Sequence, residues 1–285
     1  MKKTTGLLVA LVAGIIILGA AYVMTAGPLF DLQYRYSPGD TGMYATNMTF
    51  TVQNVTSGRE MPVDKSVETG MEIAANSTAG RIVLVYRNLT LPDMANPASH
   101  ATTGVLVEII SPHGHPLDGG SAEPFRSPET PGTLVFPEKP VRTGDRWNFS
   151  STGEGSKTIS SNLSLTWRTL SENQYTLSGW ETITVPAGTF DCVRIVHTGS
   201  ISADLNESVL GKPHAGYYRD AYSGTAWVDI SKGFLVRSSY SSVISVISDG
   251  SDYSRGPDGI VIASMSVPVK TTTVLNRYVP GSTGL

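Results

Sequence analysis

The chain has 285 residues, of which 16% are charged, and a net charge of −3 with no block of like charges. That balance sets aside nucleic-acid binding, which needs a basic patch or stripe, and a highly charged disordered region. A single cysteine, Cys192, sets aside an intramolecular disulfide.

The first expected element is a transmembrane helix within residues 1–27. Lys2 and Lys3 precede an unbroken apolar run from Gly6 to Met24. At about 1.5 Å per residue that run spans a bilayer core of about 30 Å. Lysines before the run and none directly after it place the N-terminus in the cytoplasm and residues 28–285 outside. A cleaved signal peptide is the competing reading, with Gly19, Ala20, Ala21 and Ala26 near a cleavage point. The run is longer than the roughly 7–15 residues a signal core needs, so an uncleaved single-pass anchor in the cell membrane is expected. No cysteine follows it to carry a lipid.

Seven of the ten asparagines sit in Asn-x-Ser/Thr sequons: Asn47, Asn54, Asn76, Asn88, Asn148, Asn162 and Asn206. Such acceptors belong on exposed segments of exported proteins, although a Ser/Thr-rich β protein also gathers them by accident. Sequons without disulfides point to an archaeal cell surface, with a bacterial envelope as the alternative.

The exported body reads as strands. Asp31–Tyr36 alternates, with Leu32, Tyr34 and Tyr36 on one face, and Pro38-Gly39-Asp40-Thr41-Gly42 is a turn. Strands are expected at 43–52, 66–75, 81–91 and 103–111. Residues 111–140 then hold seven prolines, and proline cannot donate to a ladder, so a long loop is expected there. The second half reads as a meander at 146–151, 157–170, 174–185, 189–202, 216–230, 234–247 and 260–275. Tight turns at Val185–Thr189 and Ile230–Phe234 link its runs. This many strands without helices require a curved sheet, barrel or sandwich. Gly39-Asp40 and Gly144-Asp145 form a weak internal echo, read chiefly as two ordinary turns before strands.

Residues able to do chemistry are sparse. There is no Gly-x-Ser-x-Gly elbow, His-Glu-x-x-His or Cys-x-x-Cys. Gly153-Glu-Gly-Ser-Lys157-Thr158 lacks the Gly-Lys adjacency of a phosphate loop and reads as a turn. His113 and His115, with Asp118, form a weak metal candidate; Pro112, Pro116 and Gly119 explain the segment better as a turn. Cys192 and His197 are five apart on one expected strand, hence on opposite faces. Asp220 and Asp229 are not at a glycosidase spacing the sequence can establish. No catalytic residue, metal or cofactor is expected, and an exported hydrolase is the third reading. Trp147, Trp167, Trp180 and Trp227, with Tyr217, Tyr218 and Tyr240, cluster in the second half. They suit a concave sheet face that holds an apolar ligand, or an ordinary sandwich core. Trp180, Trp227 and Tyr240 are the residues expected to line such a pocket.

Three segments carry a resemblance. They are Phe136-Pro137 to Gly144-Asp145-x-Trp147, Gly179-x-Glu181 to Val185-Pro186-Ala187-Gly188-Thr189-Phe190-Asp191-Cys192, and Gly224-x-x-Trp227-Val228-Asp229 to Gly233-Phe234-Leu235-Val236. Over residues 136–248 the chain resembles exported β-rich proteins of unassigned function and, more distantly, the LolA/LppX-like lipoprotein-carrier group. The resemblance implies an incomplete antiparallel barrel around an apolar cavity, with a lipid or other apolar ligand. The combined expectation is a mainly β protein: a large curved antiparallel sheet with one N-terminal transmembrane helix. Its partners would be the membrane, an apolar ligand and a surface protein; a structural or adhesive glycosylated surface domain is the alternative.

Overall fold

The computed structural model describes residues 27–50, 52–54, 59–61, 67–78, 80–87, 90–92, 100–102, 106–117, 133–160, 163–209, 212–248 and 264–281. Among them the first half forms β1 (Asp40–Phe50), β2 (Val52–Asn54), β3 (Arg59–Met61), β4 (Val67–Thr78), β5 (Arg81–Arg87), β6 (Thr90–Pro92), β7 (His100–Thr102) and β8 (Leu106–Ile110). The second half forms β9 (Arg146–Ser160), β10 (Leu163–Val185), β11 (Gly188–Val209), β12 (Lys212–Asp229), β13 (Leu235–Ser248) and β14 (Ser264–Val279). The expected membrane anchor falls on residues 1–26, outside the described residues. Among the described residues no helix is long and apolar enough to cross a membrane.

Twelve of these strands join one antiparallel sheet: ten in the order β8-β5-β4-β1-β14-β13-β12-β11-β10-β9, with β2 paired to β14 and β3 to β2 off that path. Strands β9 to β14 are a simple meander, as the alternating pattern requires. The first half attaches through β1, which pairs with β14 from Thr41↔Val279 to Phe50↔Val269. The sheet is not closed: β8 and β9 are its edges. Pro268 is tolerated inside β14 because it lies where β1 pairing has ended at Val269 and β2 pairing begins at Ser266.

Three expectations about local structure are corrected. Lys157–Leu170 is not one strand; the chain reverses between β9 and β10, and β10 runs unbroken to Val185. The segment from Gly153 to Thr158 is not a turn but the middle of β9, with Gly153↔Thr169 and Gly155↔Trp167 in register. Gly155 serves the neighbouring indole: a Cβ there would meet Trp167 Cζ2 at 2.5 Å. Finally, Asp31–Tyr36 is extended but belongs to no strand.

That last segment is a plug. Leu32, Tyr34 and Tyr36 are buried, as their alternation predicts. Its backbone bonds go to loops instead of a ladder: Tyr34 N donates to Pro112 O at 2.7 Å and Arg35 N to Lys232 O at 2.7 Å. Phe30 bridges Val141, and the Tyr34 hydroxyl donates to Leu134 O at 3.0 Å. The plug and the returning loop at 133–141 fill one end of the curved sheet, here called the base. There Phe30, Leu32, Tyr34, Leu134 and Phe136 join side chains from nearly every major strand in one apolar cluster. Trp147 Nε1 donates to Val135 O at 2.8 Å, and His115 lies 5.5 Å from the Phe149 ring, so the two sheet edges approach each other here.

The Gly-Asp echo has a structural basis. Ser37 N donates to Asp40 Oδ2 at 2.6 Å, and Arg142 N to Asp145 Oδ2 at 2.7 Å. Gly39 and Gly144 hold φ of 84° and 97°, which glycine adopts without steric cost. Asp40 alone has become a buried clamp, accepting also from Gly281 N at 2.7 Å and Lys232 Nζ at 3.4 Å. Burial pushes its carboxyl up, but the Gly281 and Ser37 amides and the Lys232 ammonium outweigh burial and hold it below the ordinary 3.8. A depressed folded pKa contributes stability above the unfolded value and loses it as pH falls through the folded one. Asp40→Asn is therefore expected to cost about 2 kcal/mol at pH 7. That difference should shrink progressively between pH 7 and pH 3 as the carboxylate protonates. Urea midpoints at the two pH values check this; an equal gap at both would rule out the charged clamp.

Candidate functional site

Antiparallel register places directly paired residues on one face, so the interior can be read as rungs across β10, β11, β12, β13, β14 and β1. Burial fixes which face is inside: Ser238, Tyr240 and Ser242 are buried while Arg237, Ser239, Ser241 and Val243 are exposed. Nearest the base runs Leu177, Ile195, Ala226, Ser238, Thr273 and Thr46. The second rung is Tyr175, His197, Gly224, Tyr240, Thr271 and Met48. The third is Asn173, Gly199, Tyr222, Ser242, Val269 and Phe50. The fourth is Ser171, Ile201, Asp220, Ile244 and Val267.

These rungs form a polar band in an otherwise apolar interior. Tyr222 donates to Asn173 Oδ1 at 2.6 Å, and Asn173 Nδ2 to Ser171 Oγ at 3.0 Å. Tyr240 donates to Asp220 Oδ2 at 3.1 Å. The His197 ring lies 6.3 Å from each of Tyr175, Tyr222 and Tyr240. Two glycines make this crowding possible: a Cβ at Gly199 would meet Tyr222 Cε2 at 2.8 Å, and one at Gly224 would meet His197 Nε2 at 2.8 Å.

The band is not internally satisfied. His197 Nδ1, Ser238 Oγ, Thr271 Oγ1, Ser242 Oγ and Asp220 Oδ1 are buried without a well-formed hydrogen bond, in residues 5% exposed or less. Each such group costs roughly 1–3 kcal/mol unless a partner reaches it. Burial pushes the His197 imidazole down to about 4, so it is neutral at physiological pH. Burial also raises Asp220, against the weaker opposing effect of the Ser242 and Tyr240 hydroxyls beside it.

Apolar surface lies on both sides. Toward the base are Leu177, Ile195 and Ala226 of the main cluster. Away from it, Ile201, Ala203 and Tyr218 pack with Leu205, Ile244 and Val246, and Phe50, Val267 and Val269 pack with Met48. Chemically this is a wall with hydrogen-bonding groups at mid-height and hydrocarbon above.

The expected pocket residues do not share a wall. Tyr240 faces inward in the band. Trp227 pairs with Arg237, three residues from Tyr240 along β13, and so occupies the opposite face. Its indole lies under the Arg237 guanidinium at 5.4 Å and donates to Glu181 Oε1 at 2.9 Å. Trp180 is 56% exposed. Clustering in sequence misled here because neighbouring strand positions alternate sides. Sequence reasoning missed His197, Ser238, Ser242 and Thr271; their signal was polar residues at the inward positions of otherwise apolar alternation.

Other candidates resolve as structure. His113 Nε2 lies 3.5 Å from Glu138 Oε2, and His115 Nε2 3.4 Å from Glu138 Oε1. That clasp joins the end of β8 to the 133–141 loop. Among the described residues no group of three His, Cys, Asp or Glu is placed to hold a metal, and Asp118 lies outside them. Cys192 and His197 do take opposite faces of β11; burial, then nearby Asp229, pushes the thiol up to about 12, so it is inert. His214 lies in β12, ahead of the strand start expected at 216. Of the sequon asparagines, Asn47, Asn76, Asn148 and Asn206 are exposed, all four at outward positions; side chains of Asn54, Asn88 and Asn162 lie outside the described residues. The outer face also holds an open depression of about 580 Å³ bordered by Thr198, Ser200, Arg219, Ser223, Ser241 and Val243.

No family model matches the chain, and no curated protein matches it. Among solved structures it is similar to a Bacteroides fragilis NCTC 9343 protein taken to be exported and to have a YmcC-like fold. The identity is 12% and the TM-score 0.31, over 87% of this chain and 99% of that one. It is likewise similar to a protein of Parabacteroides distasonis ATCC 8503 taken to be a lipoprotein, with 11% identity and a TM-score of 0.30, over 87% of this chain and 100% of that one. Both likenesses are too distant to assign an activity.

Proposed function

We propose that this chain is a membrane-tethered, extracytoplasmic, non-catalytic protein that binds an amphipathic ligand, a lipid in the first instance, inside its curved sheet. The carrying observation is the inner polar band: five buried polar groups lacking good partners, bounded by apolar clusters. A ligand with a polar end and a hydrocarbon tail complements both parts. The N-terminal apolar run and the sequons support export. The outward setting of the four described sequon asparagines supports an interior left clear of glycans. The reading agrees with what the resemblance to lipoprotein carriers implies, an apolar ligand inside an incomplete barrel.

The test is native mass spectrometry of the chain purified from its own host, with lipid extraction of the same sample. A single amphiphile at defined stoichiometry is the expected result. Replacing Thr271 by Val, which keeps shape and removes a hydroxyl, should lower its occupancy several-fold. A clean apo mass would shift the reading to an adhesive or structural surface domain. The rows of outward hydroxyls favour that second reading: Thr198, Ser223 and Ser241 in one and Thr225, Ser239 and Thr272 in the next.

A further inference from the structure

We infer that the ligand's polar end is an uncharged, hydroxyl-bearing head group, an inference that rests on the binding reading above. The argument is the sorting of charge between the two faces of one sheet. No position in the four inner rungs is lysine or arginine. The cations of the same strands sit outward: Arg194 opposite Trp227, Arg219 opposite Ser202, Arg237 opposite Trp227, and Lys270 opposite Ser241.

A phosphate or carboxylate seated in the band would be desolvated with no cation to face it. Burying an unpaired charge costs several kcal/mol. A quaternary ammonium is disfavoured for a different reason. Aromatic cages hold such cations between separated rings, whereas Tyr222 and Tyr240 stand 5.6 Å apart and both pack against His197. What the band presents is a spread of neutral donors and acceptors: three hydroxyls, one imidazole nitrogen and a carboxyl oxygen that burial favours in its protonated form. A glycerol or sugar-like head matches them group for group.

Three single-chain probes sharing one oleoyl tail separate the possibilities: monooleoylglycerol, oleoyl lysophosphatidate and an oleoyl trimethylammonium ester. Equilibrium binding to the full chain is expected to favour monooleoylglycerol by at least about tenfold, or about 1.4 kcal/mol. Ser242→Lys should erase that preference by admitting the phosphate. Should that variant fail to fold, Ser238→Ala, which removes one hydroxyl from the band, should weaken monooleoylglycerol alone by about threefold to tenfold, the effect of one neutral hydrogen bond. If lysophosphatidate or the ammonium ester binds as tightly as the glycerol probe, the head-group inference is wrong while the binding reading stands. If none of the three binds, both fall.

Discussion

Replacing Gly233 by alanine is expected to destabilise the fold by about 2–4 kcal/mol and to loosen the plug before the rest of the sheet. Gly233 ends the tight turn between β12 and β13 with φ of 77°, a region costing a side-chain-bearing residue roughly 1–2 kcal/mol. The larger part is steric. A Cβ there would stand 2.1 Å from Gln33 O and 3.0 Å from Tyr34 Cα, both backbone atoms of the plug. Neither can rotate away as a side-chain tip would, so the plug must back out of its seat. Overpacking of this kind adds roughly 1–3 kcal/mol. Urea denaturation gives the total, and amide exchange at Tyr34 and Arg35 locates it, since those amides bond to Pro112 and Lys232. A variant within about 0.5 kcal/mol of wild type, with both amides still protected, would mean that the plug does not sit where it is described.

The second large effect belongs to Phe136, which is 1% exposed. Its ring lies 4.8 Å from Tyr34, and its backbone N–H donates to His113 O at 2.8 Å. Phe136→Ala should cost about 3–5 kcal/mol, because the base cannot collapse around the space left: the plug on one side and the strands on the other are separately anchored. Phe136→Leu should cost about 1–2 kcal/mol by keeping most of the volume. Leu117→Ala, at a position 45% exposed, should change stability by less than about 0.5 kcal/mol. Thermal and urea unfolding of the three variants check the ordering. A Phe136→Ala protein as stable as Leu117→Ala would show that the base is not the core.

Much of the sheet was legible because alternation and glycine-bearing turns are local. The turns at Val185–Thr189 and Ile230–Phe234 fell where expected, and β13 was read within a residue at each end. The errors share one cause: a strand pattern says that a segment is extended and half-buried, not what it bonds to. Asp31–Tyr36 alternates like a strand, yet its partners are Pro112 and Lys232, far away in sequence and in loops. The site suffered in the same way. The strand at 234–247 was read, but only the register of β13 with β12 and β14 shows that Ser238, Tyr240 and Ser242 meet His197 and Thr271 indoors. The tryptophans were conspicuous by rarity, and rarity carries no information about which side of a strand they occupy. Glycines told more than expected: Gly155, Gly199 and Gly224 each lie under a ring that closes the inner face.

The pairing of β1 with β14 sets an order of events for the newborn chain. Thr41 finds its partner only when Val279 has arrived, so the seam that unites the halves closes last. The meander from β9 to β14 involves neighbours in sequence and forms quickly; β1 must bring together the most distant contacts in the molecule, which is slow. Until then one long border of β1 and one of β14 stand open, each a template for the wrong partner. A chain that crosses a membrane behind an N-terminal anchor, β1 ahead of β14, would leave β1 exposed until the last strand had followed. The protein would then need a holding factor on the far side, or the proximity of its own membrane-tethered end, to survive until its last strand emerges.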